Sequence, residues 1–358
     1  MSTLPPHIER ILNLARWAPS GDNTQPWRFR VIAGDHVRVL GHDTREHCVY
    51  DLDGHASQMA HGALLETLAI AASVEGLHAD IRRLPEQPEE HPVYDVRLNA
   101  RPGLRPDPLV EYIETRCVQR RAMSMRPLEA GHRRDLEASV PGYRLVWFTG
   151  LAERWRVARF MAANAKNRLT MPEAWPTHSS IIEWHARFSQ DRIPDRAVGV
   201  DPLTAHLMRW ALGSWRRVDF LNTWLAGTLM PRIQLDLVPG VRCAAHLVLL
   251  ASRPPVDVDG HVAAGRALQR LWLTASRHGL YMQPEMTPVI FSRYVRAGQT
   301  FTRVEAVNAR ARRLAARLEG WLGVEGAQRV VFMGRLGYGP APGSRSLRRP
   351  LDQLLLGP

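Results

Sequence analysis

Apolar and polar positions alternate along the chain with two periods, and each period predicts one kind of element. Between His7 and Trp17 the apolar residues recur at helical spacing, which predicts an amphipathic helix. Turn-forming residues interrupt this pattern over 18–27, and the segments 28–33 and 36–41 then alternate as a β-hairpin does. The Ala- and Leu-rich segment 57–75 predicts a second helix, which Gly76 terminates.

Two further strands, 79–84 and 93–99, complete a first series of elements, and a second, longer series begins near Leu109. The patterns of the second series predict helices over 109–121, 128–138, 152–167, 205–229, 261–278 and 304–318. They predict strands over 143–148, 244–252 and 329–336. In both series an Ala- and Leu-rich helix is followed by Gly-Leu, at 76–77 and again at 279–280, which indicates a duplication. We therefore expect an α+β fold with a mainly antiparallel sheet flanked by helices.

The charge of the chain narrows the classes of ligand. The chain has 358 residues and a formal charge of +12 at pH 7, and Lys166 is its one lysine, so arginine carries the positive charge. Arginine suits phosphate, because the guanidinium donates two parallel hydrogen bonds. This charge is compatible with nucleic acid, an anionic membrane surface or a phosphorylated cofactor, and also with a merely solvated basic surface.

Several features restrict the setting in which the protein acts. The three cysteines form no CxxC pair and cannot make a disulfide framework. The first residues lack the basic and apolar regions of a signal peptide, and no apolar run approaches the ~20 residues that span a bilayer. We expect a cytoplasmic protein without a membrane partner. The histidines show no H-E-x-x-H pattern, so we expect no metal site.

The segment Ala15–Phe29 carries the most specific motif. Its sequence, A-R-W-A-P-S-G-D-N-T-Q-P-W-R-F, closely resembles the A-P-S-x-x-N-x-Q-P-W-x-F element of the nitroreductase superfamily. Later segments resemble further elements of that superfamily in the family order: 116–120 its Arg-x-Ser-x-Arg element, 279–287 the loop beside the flavin, and 334–338 with 346–352 the closing strand and tail. Val118 stands where the family has Ser or Thr, so Cys117 or a backbone amide is expected to supply that hydrogen bond.

The resemblance implies that the chain binds FMN. The residues that it assigns to the cofactor site are Ser20, Asn23, Gln25, Arg116, Cys117, Arg120, Gln283, Pro284, Glu285, Met286, Thr287, Ser346 and Arg348. In the family the arginines grip the phosphate, while backbone amides, here those of Glu285, Met286 and Thr287, approach flavin N5. No side chain is expected to be catalytic, because the flavin carries the redox chemistry.

The order of the motifs implies a double-length form of the family. In this chain the Q-P-W element precedes the arginine element. This arrangement resembles that of Acg-type flavin-binding proteins and of nitroreductase modules linked to E1-like adenylating enzymes. The resemblance therefore implies two tandem pseudo-repeats that form an intrachain dimer with one complete site. The first half, 1–104, would supply the P-S-x-x-N-x-Q-P-W turn. The second, 105–358, would supply the arginines and the N5 loop, with a lid near 168–202.

Three functions follow from these patterns. The first is an FMN-dependent oxidoreductase, in which NAD(P)H reduces the flavin and a small-molecule acceptor (a nitroaromatic, a quinone or a biosynthetic intermediate) reoxidises it. The second is a non-catalytic protein that sequesters FMN under the lid. A nucleic-acid-binding module is disfavoured, because the Arg-rich segment 303–317 lacks the aromatic residues that stack on bases. Further dimerisation and an adenylating partner enzyme stay open.

Overall fold

The computed structural model describes residues 4–357. The helices and strands of its first half are α1 (Pro6–Ala15), β1 (Trp27–Ala33), β2 (His36–Gly41), α2 (His55–Val74), β3 (Leu77–Arg83) and β4 (Val93–Ala100). Helix α1 buries one stripe, whereas α2 is buried on nearly every side. A helix that is apolar all round belongs in the interior, so α2 lies at the centre of the molecule.

The second half has the same kinds of element with a long insertion. Its first elements are α3 (Ala130–Ala138), β5 (Tyr143–Phe148), α4 (Leu151–Thr170), α5 (Trp175–Ser180), β6 (Ile182–Glu183), β7 (Phe188–Ser189), β8 (Ile193–Pro194), α6 (Asp195–Val198), α7 (Pro202–Leu212), α8 (Trp215–Trp224), α9 (Leu229–Arg232) and α10 (Val238–Val241). The chain continues with β9 (Ala245–Ala251), α11 (Val258–Arg277), β10 (Leu280–Pro284), α12 (Thr287–Arg296), α13 (Glu305–Leu322), α14 (Val324–Gln328), β11 (Val330–Tyr338) and β12 (Arg345–Ser346).

The two halves share one sheet topology. The strands of the first sheet lie in the order β1-β2-β4-β3, and those of the second, taken from the corresponding edge, in the order β5-β9-β11-β10. All neighbours in both sheets are antiparallel. In each sheet the strand that follows the long helix, β3 or β10, lies at an edge. The α+β fold and the two tandem pseudo-repeats predicted from the sequence are confirmed.

Helices α2 and α11 cross at two equivalent glycines. A Cβ at Gly62 would lie 2.0 Å from the carbonyl oxygen of Val262, and a Cβ at Gly265 would lie 2.0 Å from that of Met59. Gly62 and Gly265 stand 203 positions apart in the sequence, and so do Met59 and Val262. The two contacts are therefore related by the pseudo-symmetry of the halves. Only glycine allows two helix backbones to approach this closely.

The end of the chain returns to the first half. The amide of Phe29 donates to the carbonyl of Leu354 at 2.8 Å, and the amide of Leu356 donates to the carbonyl of Phe29 at 2.8 Å. Leu351 and Leu354 join the core that β1, β2 and α2 build, as do Val258 and Val262 of α11. The two halves thus share side chains in one interior.

Some predicted elements differ from the structure. The predicted helix over 109–121 is wrong. Residues Pro108–Tyr112 form a short 3-10 helix, and Val118 is extended and forms a parallel β-bridge with Met282 of β10. The predicted helix over 205–229 is two helices, α7 and α8, separated at Gly213 and Ser214. The segment 279–287 was expected to be a loop, but residues Leu280–Pro284 form β10 at the edge of the second sheet. Helix α12, which begins at Thr287, was not predicted. Within residues 4–357 no helix has the length and apolar character needed to cross a bilayer.

Candidate functional site

A cavity of about 530 Å³ lies between the two halves. Its walls are the turn Pro19–Thr24 of the first half, the segment Arg116–Arg120, the end of β10 and the start of α12. The tail from Arg345 to Arg348 closes another side, and the insertion between β5 and β9 covers the top. Of the thirteen residues assigned from the sequence, the cavity brings together all except Gln25.

One end of the cavity holds a cluster of arginines without acidic partners. We call Arg116, Arg345 and Arg348 the anion pole, because none of the three forms an ion pair with a carboxylate of residues 4–357. Arg116 donates to the carbonyl of Trp17 at 3.1 Å, and Arg348 donates through Nε to that of Ala18 at 2.9 Å. These carbonyls orient the guanidinium groups, but they do not neutralise them.

Burial makes the anion pole electrostatically unfavourable without an anion. Desolvation, together with the charge of Arg345, lowers the pKa of Arg116 to about 10. Desolvation lowers the pKa of Arg348 well below its usual value, and the neighbouring charges of Arg116 and Arg345 lower it further. A buried charge requires a partner or a strong hydrogen-bond acceptor. The pole therefore suits a ligand with a dianionic group. Arg345 was missed from the sequence, because it lies outside the matched motif positions.

Arg120 belongs to a different part of the cavity than the sequence implied. Its nearest charges are Asp22 and Arg335, and burial lowers its pKa to about 10 although Asp22 opposes this shift. Its carbonyl accepts from Arg335 Nη2 at 2.9 Å. Arg120 therefore does not join Arg116 beside Arg348, as the sequence implied, because the extended backbone of this segment carries it to another set of charges.

The turn from Pro19 to Thr24 is strained. Asp22, Asn23 and Gln25 have φ values of 49°, 65° and 50°, in the left-handed region that L-residues rarely adopt. Ser20 Oγ accepts from the Gln25 amide at 3.0 Å, and Asn23 Nδ2 donates to the carbonyls of Gln190, Arg192 and Leu347. Such outliers concentrate at functional sites, where surrounding bonds hold them.

Gln25 is a structural residue rather than a ligand. Its side-chain amide donates to the carbonyls of Asn23 and Gln190, and its Oε1 accepts from the Arg349 amide at 2.9 Å. The side chain is fully buried and does not line the cavity. Gln25 therefore holds the turn against the tail and, contrary to the sequence expectation, does not line the cofactor cavity.

Two amide oxygens in the cavity walls have no hydrogen-bond partner within residues 4–357. They are Oδ1 of Asn23 and Oε1 of Gln283, and both atoms are buried. An unpaired buried acceptor is unfavourable by about 1–3 kcal/mol. These atoms are available to accept from a ligand's N–H group. Pro284 lies beside Gln283 at the end of β10 and supplies an apolar surface.

Glu285 anchors the end of β10 through its side chain. Its carboxylate accepts from His246 Nδ1 at 2.7 Å and from Arg335 at 3.0 Å, and all three side chains are buried. His246 Nε2 lies 2.7 Å from the carbonyl of Gly240, so both ring nitrogens donate. Burial alone would lower the pKa of His246, but Glu285 raises it to about 10. The network fixes β9, β10 and β11 beneath the cavity.

The predicted role of the Glu285 amide is wrong. That N–H donates to the carbonyl of Met333 at 2.7 Å, as part of the contact between the ends of β10 and β11. The amides of Met286 and Thr287 have no backbone acceptor within the described range, and they lie at the first turn of α12. The structure leaves these two amides available to a ligand.

Cys117 and Ser346 also line the cavity but are not charged ligands. Burial raises the pKa of the Cys117 thiol, although Arg345 and Arg116 oppose this shift, so the thiol stays protonated. The Ser346 hydroxyl donates to the carbonyl of Arg192 at 2.8 Å and ties the tail to the cover.

The cover over the cavity is larger than the predicted lid over 168–202. Side chains from Arg168 to Asp236 line the cavity, so α7, α8 and α9 belong to the cover as well. Tyr50 of the first half hydrogen-bonds to His178 of α5 at 2.7 Å, and the two rings stack. Burial lowers the pKa of His178 to about 3, so the neutral ring accepts a hydrogen bond from the Tyr50 hydroxyl.

A second charged pair faces the cavity from this cover. Arg168 lies 3.8 Å from the carboxylate of Asp236, and burial raises the pKa of Asp236 to about 6. Sequence patterns gave no signal for either residue, because both lie outside the matched segments.

Comparisons with known proteins agree with the sequence resemblance. Residues 5–60 match the nitroreductase family, and this range includes the whole segment Ala15–Phe29. The resemblance to the nitroreductase superfamily is therefore confirmed. Among curated proteins, an uncharacterized protein, MT1398, of Mycobacterium tuberculosis (strain CDC 1551 / Oshkosh) is 24% identical over 357 residues. The match covers 96% of this chain and 47% of the relative, so the chain spans about half the length of that protein.

Among solved structures, the FMN and NADPH-dependent nitroreductase NfnB from Sphigopyxis sp. strain HMH is 17% identical. The match covers 70% of this chain and 98% of that chain, with a TM-score of 0.36. A mutant of the same enzyme is 18% identical, with a TM-score of 0.35.

Proposed function

We propose that this chain, which resembles the nitroreductase superfamily, binds one FMN in the cavity between its two halves. The observation that carries the proposal is the anion pole, where Arg116 and Arg348 are buried beside the half-buried Arg345 and none of the three pairs with a carboxylate of residues 4–357. A phosphate dianion would accept charge-assisted hydrogen bonds from these groups. Its charge would relieve the desolvation that lowers the pKa values of Arg116 and Arg348.

The rest of the cavity suits the remainder of the cofactor. Asn23 Oδ1 and Gln283 Oε1 are unpaired acceptors that would receive the N–H of a pyrimidine edge. The free amides of Met286 and Thr287 would donate to acceptor atoms of the ring. Met286 and Leu268 give apolar surface to a flat ring system. When bound, FMN would supply reversible electron transfer between a donor and an acceptor.

An equilibrium titration with two flavins tests this assignment. The phosphate is the difference between FMN and riboflavin, so the anion pole would bind FMN at least about 100-fold more tightly. Flavin fluorescence quenching measures both affinities on the apoprotein. Equal affinity for FMN and riboflavin would contradict the phosphate assignment, even if the protein is yellow.

We infer an oxidoreductase that takes electrons from NAD(P)H and passes them to a small-molecule acceptor. The support is the family resemblance, together with a cavity that ends in free backbone amides. NfnB is described as FMN- and NADPH-dependent. The acceptor and an adenylating partner enzyme stay predictions. Anaerobic mixing of the yellow protein with NADH or NADPH tests the inference: loss of the flavin absorbance within seconds supports it, and an unchanged spectrum with both donors contradicts it.

The cover favours a second candidate, in which the chain sequesters FMN. Residues from Arg168 to Asp236 close over the cavity, and Tyr50 bonds this cover to the first half. A fixed cover would exclude a nicotinamide donor. In that case the protein would retain FMN through dialysis, and neither nicotinamide would reduce it, whereas the small reductant dithionite would.

A further inference from the structure

The outer surface of the cover carries exposed apolar residues at helical spacing. Leu203, Leu207 and Trp210 follow one face of α7, and Phe220 and Trp224 follow one face of α8. Leu203 is 78% exposed and Trp224 is 74% exposed. We call these five residues the outer lid face. Single exposed apolar residues are ordinary, but a contiguous set of this kind marks a binding surface.

The helices of the outer lid face are apolar on two opposite sides. Met208 and Leu212 of α7 face the cavity, as do Val218 and Leu221 of α8. A solvent-exposed surface helix normally has one apolar stripe and a polar outer face. The inner stripe of α7 and α8 is explained by the cavity. The residues of the outer stripe are 44–78% exposed, so this stripe is open to a partner outside the chain.

The charges beside the outer lid face are mainly positive. Helices α7 and α8 carry three arginines, Arg209, Arg216 and Arg217, and one acidic residue, Asp219. Arg217 lies 5.0 Å from the centre of the Trp210 ring and donates to the Trp210 carbonyl at 3.0 Å, which links the two helices on this side. Exposed Trp, Phe and Leu beside arginine are typical of helices that lie in the interface of an anionic membrane.

We propose that the outer lid face docks onto an anionic lipid surface, with α7 and α8 lying in the plane of the interface. The sequence predicted no membrane partner, but that expectation rested on the lack of a span, and an interfacial helix needs none. A second copy of the chain is a poorer occupant, because a two-fold contact would bring both sets of arginines together as they lose water. Lipid phosphates instead complement this charge.

Vesicle sedimentation with the FMN-loaded full chain tests the proposal. We expect binding to vesicles that contain phosphatidylglycerol, at least about 10-fold weaker binding to vesicles of phosphatidylcholine alone, and weakening by salt. The double variant Phe220→Ser/Trp224→Ser should bind the anionic vesicles at least about 10-fold more weakly. The matched control is Val256→Ser/Val324→Ser, which removes two exposed apolar residues elsewhere, 86% and 62% exposed, and should bind like the wild type.

Three results would overturn the proposal: no sedimentation with anionic vesicles at low salt, equal binding by the Phe220/Trp224 double variant, or equal loss in the Val256/Val324 control. Light scattering gives a fourth such result. If the wild-type protein is a dimer and the Phe220/Trp224 double variant is a monomer, the outer lid face binds a second copy of the chain instead. Circular dichroism and flavin content verify that both variants fold. Because flavin content is measured separately, failure here is distinct from failure of the FMN assignment.

Discussion

Gly62 of α2 and Gly265 of α11 occupy equivalent positions in the two halves, and each lies against the backbone of the opposite helix. A Cβ at either position would meet a carbonyl oxygen at 2.0 Å. The neighbouring polar pairs repeat the same symmetry: Arg270 donates to Glu66 at 2.8 Å, and Gln269 donates to Thr67 at 2.9 Å. The crossing of these helices therefore joins the two halves in a two-fold arrangement, as in a dimer of two subunits.

Alanine at Gly62 or Gly265 should destabilise the protein strongly. The added methyl group would force the helices apart, and overpacking of this kind destabilises by about 1–3 kcal/mol or more. The matched control is Gly320→Ala in α13, where nothing lies within 4 Å of the added Cβ. Alanine is the better helix former, so this control should be neutral or stabilise by about 0.5–1 kcal/mol. Urea unfolding measures both, and an unchanged Gly62→Ala midpoint would refute the close crossing.

The duplication was partly visible in the sequence. The Gly-Leu pairs after the long helices mark equivalent helix ends, and they predicted the repeat correctly. The insertion between β5 and β9 was not recognisable as one unit, because helices that are apolar on both sides show no clear stripe. The helix predicted over 109–121 failed because pairing of Val118 with Met282 favours an extended backbone there.

Substitution of Arg348 should separate binding of the phosphate from binding of the ring. Arg348→Gln removes a charged donor from the anion pole, so we expect FMN affinity to fall about 10- to 100-fold while riboflavin affinity is unchanged. The free energy of unfolding of the Arg348→Gln apoprotein should not fall, because the substitution removes a buried charge that has no acidic partner. Fluorescence titration and thermal unfolding measure the two effects.

The control for this variant is its neighbour in the sequence. Arg349 pairs with Asp191 at 3.1 Å and does not line the cavity, so Arg349→Gln should leave both flavin affinities unchanged. If Arg348→Gln weakened FMN and riboflavin equally, Arg348 would have a structural role and the phosphate assignment would fail.

The Glu285–His246 pair should give the protein a stability that declines at alkaline pH. Burial opposes protonation of His246, but Glu285 raises its pKa to about 10, above the usual value of 6.5. The stabilisation is complete below pH 6.5 and is lost as the pH rises through about 10. Thermal unfolding between pH 6 and pH 10 measures this decline. The decline depends on the Glu285 carboxylate, which holds the proton on His246.

Glu285→Gln should abolish most of that pH dependence. It should also destabilise the protein by about 3–5 kcal/mol near neutral pH, because Arg335 and His246 lose their buried counter-charge. Glu75→Gln is the control: its partner Arg10 is exposed, and a surface pair contributes about 0–1 kcal/mol. A Glu285→Gln protein that kept the wild-type alkaline decline would show that another group titrates.

The bond between Tyr50 and His178 should slow release of the flavin. Tyr50→Phe removes the hydrogen bond that joins the first half to the cover, and a bond of this kind contributes about 0.5–1.5 kcal/mol. We expect the dissociation rate of FMN to rise by up to about 10-fold, measured by the fluorescence of released flavin after dilution. Tyr143→Phe, on β5 and away from the cavity, should not change the rate. Equal rates for all three proteins would exclude the bond as a restraint on the cover.

The sequence predicted most of the cavity wall but only part of its charge. The motif residues Ser20, Asn23, Arg116 and Arg348 lie together because both halves contribute to one space. Arg345 and the Arg168–Asp236 pair were missed, since their positions depend on how the tail and the cover fold over the site. The Glu285 amide was misassigned because its bond to Met333 forms only when β10 and β11 pair.

The flavin content of the purified protein tests the central claim most directly. The absorption spectrum, with reverse-phase identification of what heat releases, gives the identity and amount of the cofactor. One site between two fused halves predicts about one FMN per chain. A colourless protein that takes up no added FMN, or two FMN per chain, would contradict it.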